Sequence, residues 1–125
     1  MERVRFITHK GKQVLLLDYR DLADEVEMLA MIEERKRVVS AQPKGSLLTV
    51  ADISGSTITK DVLVKIKEAN VYDLPFVRRA ALVGVEDDKQ KHQLQAVETF
   101  SHHHHQRFAT LPEALDWLVS DERSK

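Results

Sequence analysis

Ser46-Leu47-Leu48-Thr49-Val50-Ala51-Asp52-Ile53-Ser54-Gly55-Ser56-Thr57 is the stretch that decides how this chain folds. Its first half, Ser46 to Ala51, is a short apolar run bounded by the loop residues Pro43 and Gly45, which predicts a strand. Its second half, Asp52 to Thr57, is a small polar turn. Beyond it Val62, Ile66 and Ala69 recur at helical spacing, with Thr57 or Thr59 as the expected N-cap. Strand, turn and helix in succession form the repeating unit of an α/β sheet.

Working outward, the same unit recurs on both sides. Arg3 to Thr8 alternates, with Val4 and Phe6 on one face and Arg3, Arg5 and Ile7 on the other, and predicts a strand with one wet face. His9-Lys10-Gly11-Lys12 is a tight turn in which Gly11 supplies a positive φ. Gln13 to Asp18 predicts a second strand, and its unbroken Val14 to Leu17 run implies burial on both faces. From Asp21 the period changes, and Leu22, Val26, Leu29 and Ile32 trace an amphipathic helix that ends near Gln42-Pro43. Downstream, Ala80 to Val85 predicts a fourth strand. Asp87-Asp88-Lys89-Gln90 has the spacing of a capping box ahead of a helix carrying Leu94, Val97 and Phe100. Gln106 to Ala109 predicts a brief last strand. Thr110-Leu111-Pro112-Glu113 opens a final helix with Leu111, Leu115 and Leu118 on one side and Trp117 beside them. The order β-β-α-β-α-β-α-β-α implies a single, mostly parallel sheet with an antiparallel N-terminal hairpin strand and right-handed crossovers.

The 125 residues form one domain, residues 1 to 125, with a polar tail from about Ser120. A hydrophobic share of 42% fills a core, while 19 basic and 20 acidic residues leave a mixed surface of formal charge −1. The absence of cysteine excludes disulfides and thiol chemistry. No apolar run approaches the ~20 residues of a membrane span. The start, Met1-Glu2-Arg3-Val4-Arg5-Phe6, lacks the apolar stretch of a secretory signal, so a cytoplasmic protein is expected. Arg35-Lys36-Arg37, flanked by Glu33-Glu34, is a lone basic cluster without interleaved aromatics, so no nucleic-acid partner is expected.

Five segments in order carry a resemblance: the hairpin around His9-Lys10-Gly11-Lys12, Leu16-Leu17-Asp18-Tyr19, Ser46 to Asp52, Phe76 to Val85, and Glu113-Ala114-Leu115-Asp116-Trp117-Leu118. Together they resemble the small bacterial SpoIIAA-like, STAS-type proteins over nearly the whole chain. The resemblance implies a fold related to anti-sigma-factor antagonists and, more distantly, to lipid-binding CRAL-TRIO domains. In the antagonists a serine in an Asp-Ser-Ser-Gly-like turn is phosphorylated. Asp52, Ser54, Gly55, Ser56 and Thr57 form the corresponding turn, with Ser54 before the glycine and Ile53 where a second small polar residue is expected. A phosphate at a helix N-terminus is stabilised by free N–H groups; the alternative is that these side chains only cap the helix and shape the turn.

Other constellations carry less. Asp18, Asp52, Asp87 and Asp88 fall at one end of the sheet, where clustered carboxylates can hold Mg²⁺, but caps and turns also use such residues. There is no Gly-x-Ser-x-Gly elbow and no glycine-rich phosphate loop, so neither a catalytic residue nor a cofactor is expected. Arg78 and Arg79 suit an anion or a solvated strand entrance. Of six histidines, His102 to His105 are consecutive, and His102 and His105 would be one turn apart if the preceding helix persists, a spacing for adventitious metal binding; otherwise the run is solvated. Protonating all six would move the formal charge from −1 to +5.

The leading expectation is a non-enzymatic STAS-type domain that contacts an unknown protein partner through the Asp52 to Thr57 turn. The alternative is a module that binds a small apolar or lipid-like ligand between helices and sheet. A metal-dependent hydrolase ranks last. An exposed edge strand at Arg3 to Thr8 suits a homodimer.

Overall fold

The structure, a computed structural model, describes residues 3–120, so the polar tail beyond Ser120 lies outside the described residues. β1 (Val4–His9) and β2 (Lys12–Asp18) form the antiparallel hairpin, with His9 opposite Lys12 and Val4 opposite Leu17. Lys10 and Gly11 both have positive φ, 51° and 81°, the two left-handed positions of a type I′ turn whose twist matches the strands.

The remaining elements are α1 (Glu25–Ser40), β3 (Leu47–Asp52), α2 (Lys60–Asp73), β4 (Val77–Val83), α3 (Asp88–Ser101), β5 (Gln106–Phe108) and α4 (Leu111–Leu118). The sheet order is β1-β2-β3-β4-β5, parallel from β2 onward. Each parallel crossover therefore steps the same way across the sheet, and right-handed connections then place α1, α2 and α3 on one face. That leaves the other face to α4. The alternation within β2 follows: Leu15 and Leu17 join Met28, Ile32 and Val62 on the three-helix side, whereas Val14 and Leu16 meet Leu115 and Leu118 under α4. The wet-face expectation for β1 holds only in part, since Val4 is buried while Phe6 is 37% exposed and Ile7 packs on the α4 side.

Several boundaries and stripes differ from expectation. α1 begins at Glu25 behind the N-cap Asp24, not at Asp21, whose φ of 55° cannot enter a helix. Its buried stripe is Met28, Met31, Ile32, Arg35 and Val39. Val26 lies two residues from Met28, on the opposite side, and is 78% exposed. β4 starts three residues before the expected Ala80 because Leu47 and Val77 already pair. In α3 the seam runs Leu94, Val97, Ser101, so Phe100 falls outside it and the Lys67 ammonium covers its ring. The expected caps are present: Asp87 and Gln90 close a capping box, and Thr110 caps α4 through the Glu113 N–H.

Candidate functional site

The helical stripes that build the core also bury polar side chains. In α1, Arg35 follows Met28 by two turns on the same face, and in α2 the series Val62, Ile66, Ala69 continues to Asn70 and Asp73. Arg35 and Asp73 are 4% and 2% exposed. They pair across the two helices, with Arg35 Nη2 2.7 Å and Nε 2.9 Å from Asp73 Oδ2, while Arg35 Nη1 donates to the Tyr19 hydroxyl at 3.0 Å. Burial disfavours the guanidinium charge, but the Asp73 charge and the hydrogen bonds outweigh it and raise the Arg35 pKa above its ordinary value.

The histidine run completes this cluster. α3 stops at Ser101, and His102 takes a left-handed conformation at φ 57° that turns the chain back. Ser101 Oγ donates to the Val97 carbonyl and accepts from His103 N, and His105 N donates to Glu98 Oε2 at 2.8 Å. The His103 and His105 rings stack at 4.6 Å, with His103 only 5% exposed. Burial lowers the pKa of His103, and it lowers that of His105 to about 3 with the help of His103 and Arg35. His105 keeps some exposed surface, yet its Nδ1 is out of reach of solvent. The expectation of a solvated run therefore holds for His102 and His104, which are exposed, and fails for His103 and His105; a helical His102–His105 pair does not form, because the helix has already ended.

Between the sheet and α2 and α3 lies a cavity with about 70 Å³ open to the centres of water molecules. Leu17, Ala51 and Leu82 supply its sheet side, and Leu63, Ile66, Leu94 and Val97 its helical side. Tyr19, Arg35, Asn70, Asp73, His103 and His105 line it as well. Among the described residues, three buried side-chain atoms have no hydrogen-bond partner: Asn70 Oδ1, Asp73 Oδ1 and His105 Nδ1. All three belong to residues of this cavity.

The expected turn sits beside it. Asp52 is 5% exposed, and its Oδ1 accepts from Ser54 N at 3.1 Å and Ser54 Oγ at 2.7 Å. Ser56 Oγ donates to the Ile53 carbonyl, Gly55 N donates to Glu86, and Thr57 N donates to the Leu22 carbonyl. Thr59, not Thr57, caps α2, so Ser54, Ser56 and Thr57 shape the turn and do not cap the helix. A phosphate on Ser54 would meet the Asp52 carboxylate and not the free N–H groups of a helix start. Gly84, at φ +93°, is required here, since a Cβ would stand 2.5 Å from Ser54 N.

The four acids do not form one site. Asp18 and Asp52 face each other in register, but Arg20 binds both Asp18 oxygens and holds its pKa down to about 2, against burial and with help from Arg5. Asp87 caps α3, and the side chain of Asp88 is 92% exposed. Among the described residues no three His, Asp or Glu are grouped to hold a metal. Arg79 ties β4 to α4, donating to the Trp117 carbonyl and to Ser120 Oγ with its guanidinium over the Trp117 ring. His9, at the end of β1, bonds Asp116 of α4, and His92 is exposed on α3. No helix of the described residues is long and apolar enough to cross a membrane.

Neither the protein-family models nor the curated proteins contain a match to this chain. A solved structure does match: an uncharacterized protein of the DUF3478 family with a SpoIIAA-like fold, from Shewanella loihica PV-4. The TM-score is 0.72, over 93% of this chain and 92% of that one, at 14% sequence identity. The fold is therefore SpoIIAA-like, as the order of segments implied, and it is the fold that the two chains share.

Proposed function

We propose that this SpoIIAA-like domain is a non-enzymatic binding module that holds a small molecule with an apolar body between its sheet and α2 and α3. One observation carries the reading: three buried polar atoms without a protein partner, on Asn70, Asp73 and His105, belong to one largely apolar cavity. Each unsatisfied buried polar atom costs about 1–3 kcal/mol, and folded proteins keep few of them. Three in one cavity match the design of a ligand site, in which apolar walls give affinity and a few polar groups fix orientation. Native mass spectrometry of protein freshly purified from its source cell tests the reading. A retained small molecule that leaves on denaturation supports it; the bare chain mass alone counts against it.

A second reading, contact with a protein partner through the Asp52 to Thr57 turn, draws on one placement. Ile53 and Ile58 belong to the segment around that turn and both line the cavity, so an occupant touches the segment that would meet the partner. Copurification with wild type and with Ser54→Asp tests this. An unchanged partner list removes the turn from the contact.

A further inference from the structure

Granting that the cavity holds a small molecule, we propose that its ligand carries an uncharged, hydrogen-bond-donating head, a primary amide or a hydroxyl, on a short apolar chain. The charge of the site is the first reason. Arg35 and Asp73 are buried as a closed pair 2.7 Å apart, and all three guanidinium nitrogens are engaged by Asp73 or Tyr19. The pair sums to zero. A carboxylate entering the cavity would approach the second oxygen of Asp73, and an ammonium would meet an Asp73 carboxylate whose charge Arg35 already balances. Leu63, Ile66, Leu82 and Val97 offer no countercharge to either.

The pattern of donors and acceptors is the second reason. Asn70 Nδ2 donates to the Ile66 carbonyl at 2.9 Å, which fixes the amide with Oδ1 as a free acceptor. Asp73 Oδ2 takes Arg35, which leaves Oδ1 as another acceptor. His105 Nδ1 accepts or donates according to its tautomer, and burial keeps the ring neutral. Two acceptors and one either-way group call for a head that brings donors. A primary amide brings two N–H donors and one carbonyl, which is the complement of all three atoms; a hydroxyl satisfies two of them. The space suits a short amphiphile, since 70 Å³ open to water centres is room for several waters and not for one alone.

The test is a calorimetric titration of the full chain at neutral pH with three probes of equal length: hexanamide, hexanoate and hexylamine. Hexanamide should bind saturably and more tightly than either ion, on the order of tenfold to a hundredfold. Asn70→Leu, whose fold is checked by circular dichroism, should remove most of that preference. If hexanoate or hexylamine binds as tightly as hexanamide, the uncharged head is wrong while the cavity remains a ligand site. If none of the three binds and hexanol, the hydroxyl probe, does not bind either, both the head and the cavity reading fall.

Discussion

Replacing His105 with glutamine, which stays polar but cannot titrate, should flatten the acid side of the stability profile. In the folded chain burial, then His103 and Arg35, hold His105 at about 3 against an ordinary 6.5. A histidine with a depressed pKa takes up its proton only in the unfolded chain between those two values. The stability it contributes is therefore complete above about pH 6.5 and is lost as pH falls toward 3, at up to ~1.4 kcal/mol per pH unit. At pH 5 the loss from this one ring comes to about 2 kcal/mol, a large fraction of the ~5–15 kcal/mol of a small domain. His103, also depressed, adds loss in the same direction. Urea unfolding followed by circular dichroism at pH 7.5 and pH 5 measures the loss in both proteins. Wild type should lose about 2 kcal/mol more than His105→Gln over that interval. Equal losses would mean that the ring is solvated and that the cavity cluster is wrong as drawn.

Asp18 is depressed in the usual carboxylate sense, so its contribution is present above about pH 3.8 and disappears as pH falls through 2. Because Arg20 is half exposed, Asp18→Asn should cost on the order of 1–2 kcal/mol at pH 7 and progressively less as pH falls through 2, read by acid titration of the same unfolding signal. Arg35→Met should destabilise by about 3–5 kcal/mol, since it leaves Asp73 charged and buried, whereas Arg35→Met with Asp73→Leu should recover most of that; a double-mutant cycle of chemical unfolding checks it. Ala51→Leu projects into the cavity and should cost less than about 1.5 kcal/mol, while Ala81→Leu, fully buried against α4, should cost about 1–3 kcal/mol or more; thermal unfolding distinguishes them.

The order of elements was legible in the sequence because its signals are local. Val14 to Leu17 and Ser46 to Ala51 are apolar runs, Asp87 with Gln90 is a cap, and Lys10-Gly11 is a hairpin turn, each readable within a few residues. Crossover handedness alone leaves the strand order open; the structure supplies the sequential order β1-β2-β3-β4-β5, and handedness then puts α1, α2 and α3 on one face. The site was less legible, for the opposite reason. Arg35 sits among Glu33, Glu34, Lys36 and Arg37 and reads as a solvated cluster, yet it is two turns from Met28 on the buried side. Asn70 and Asp73 read as polar residues at the end of a stripe, although the spacing from Val62 and Ile66 already carries them inward. Extending both stripes past their apolar members is the signal that finds the pair. Nothing comparable announces the histidines, whose burial depends on the left-handed turn at His102. Their burial also changes the charge expectation, because His103 and His105 resist protonation and the +5 reached by protonating all six overstates the acid charge.

The claim at the centre is that the space under α2 and α3 takes a small amphiphile, and methyl NMR reads it where it lies. The chain, labelled at leucine, isoleucine and valine methyls, is titrated with hexanol, hexanamide, hexanoate and hexylamine. At least one of them should shift Leu63, Ile66, Leu82 and Val97 in a saturable way while Leu115 and Leu118, under α4, stay in place. Methyls on the α2 and α3 side that none of the four moves, or shifts centred on the α4 side, would contradict it.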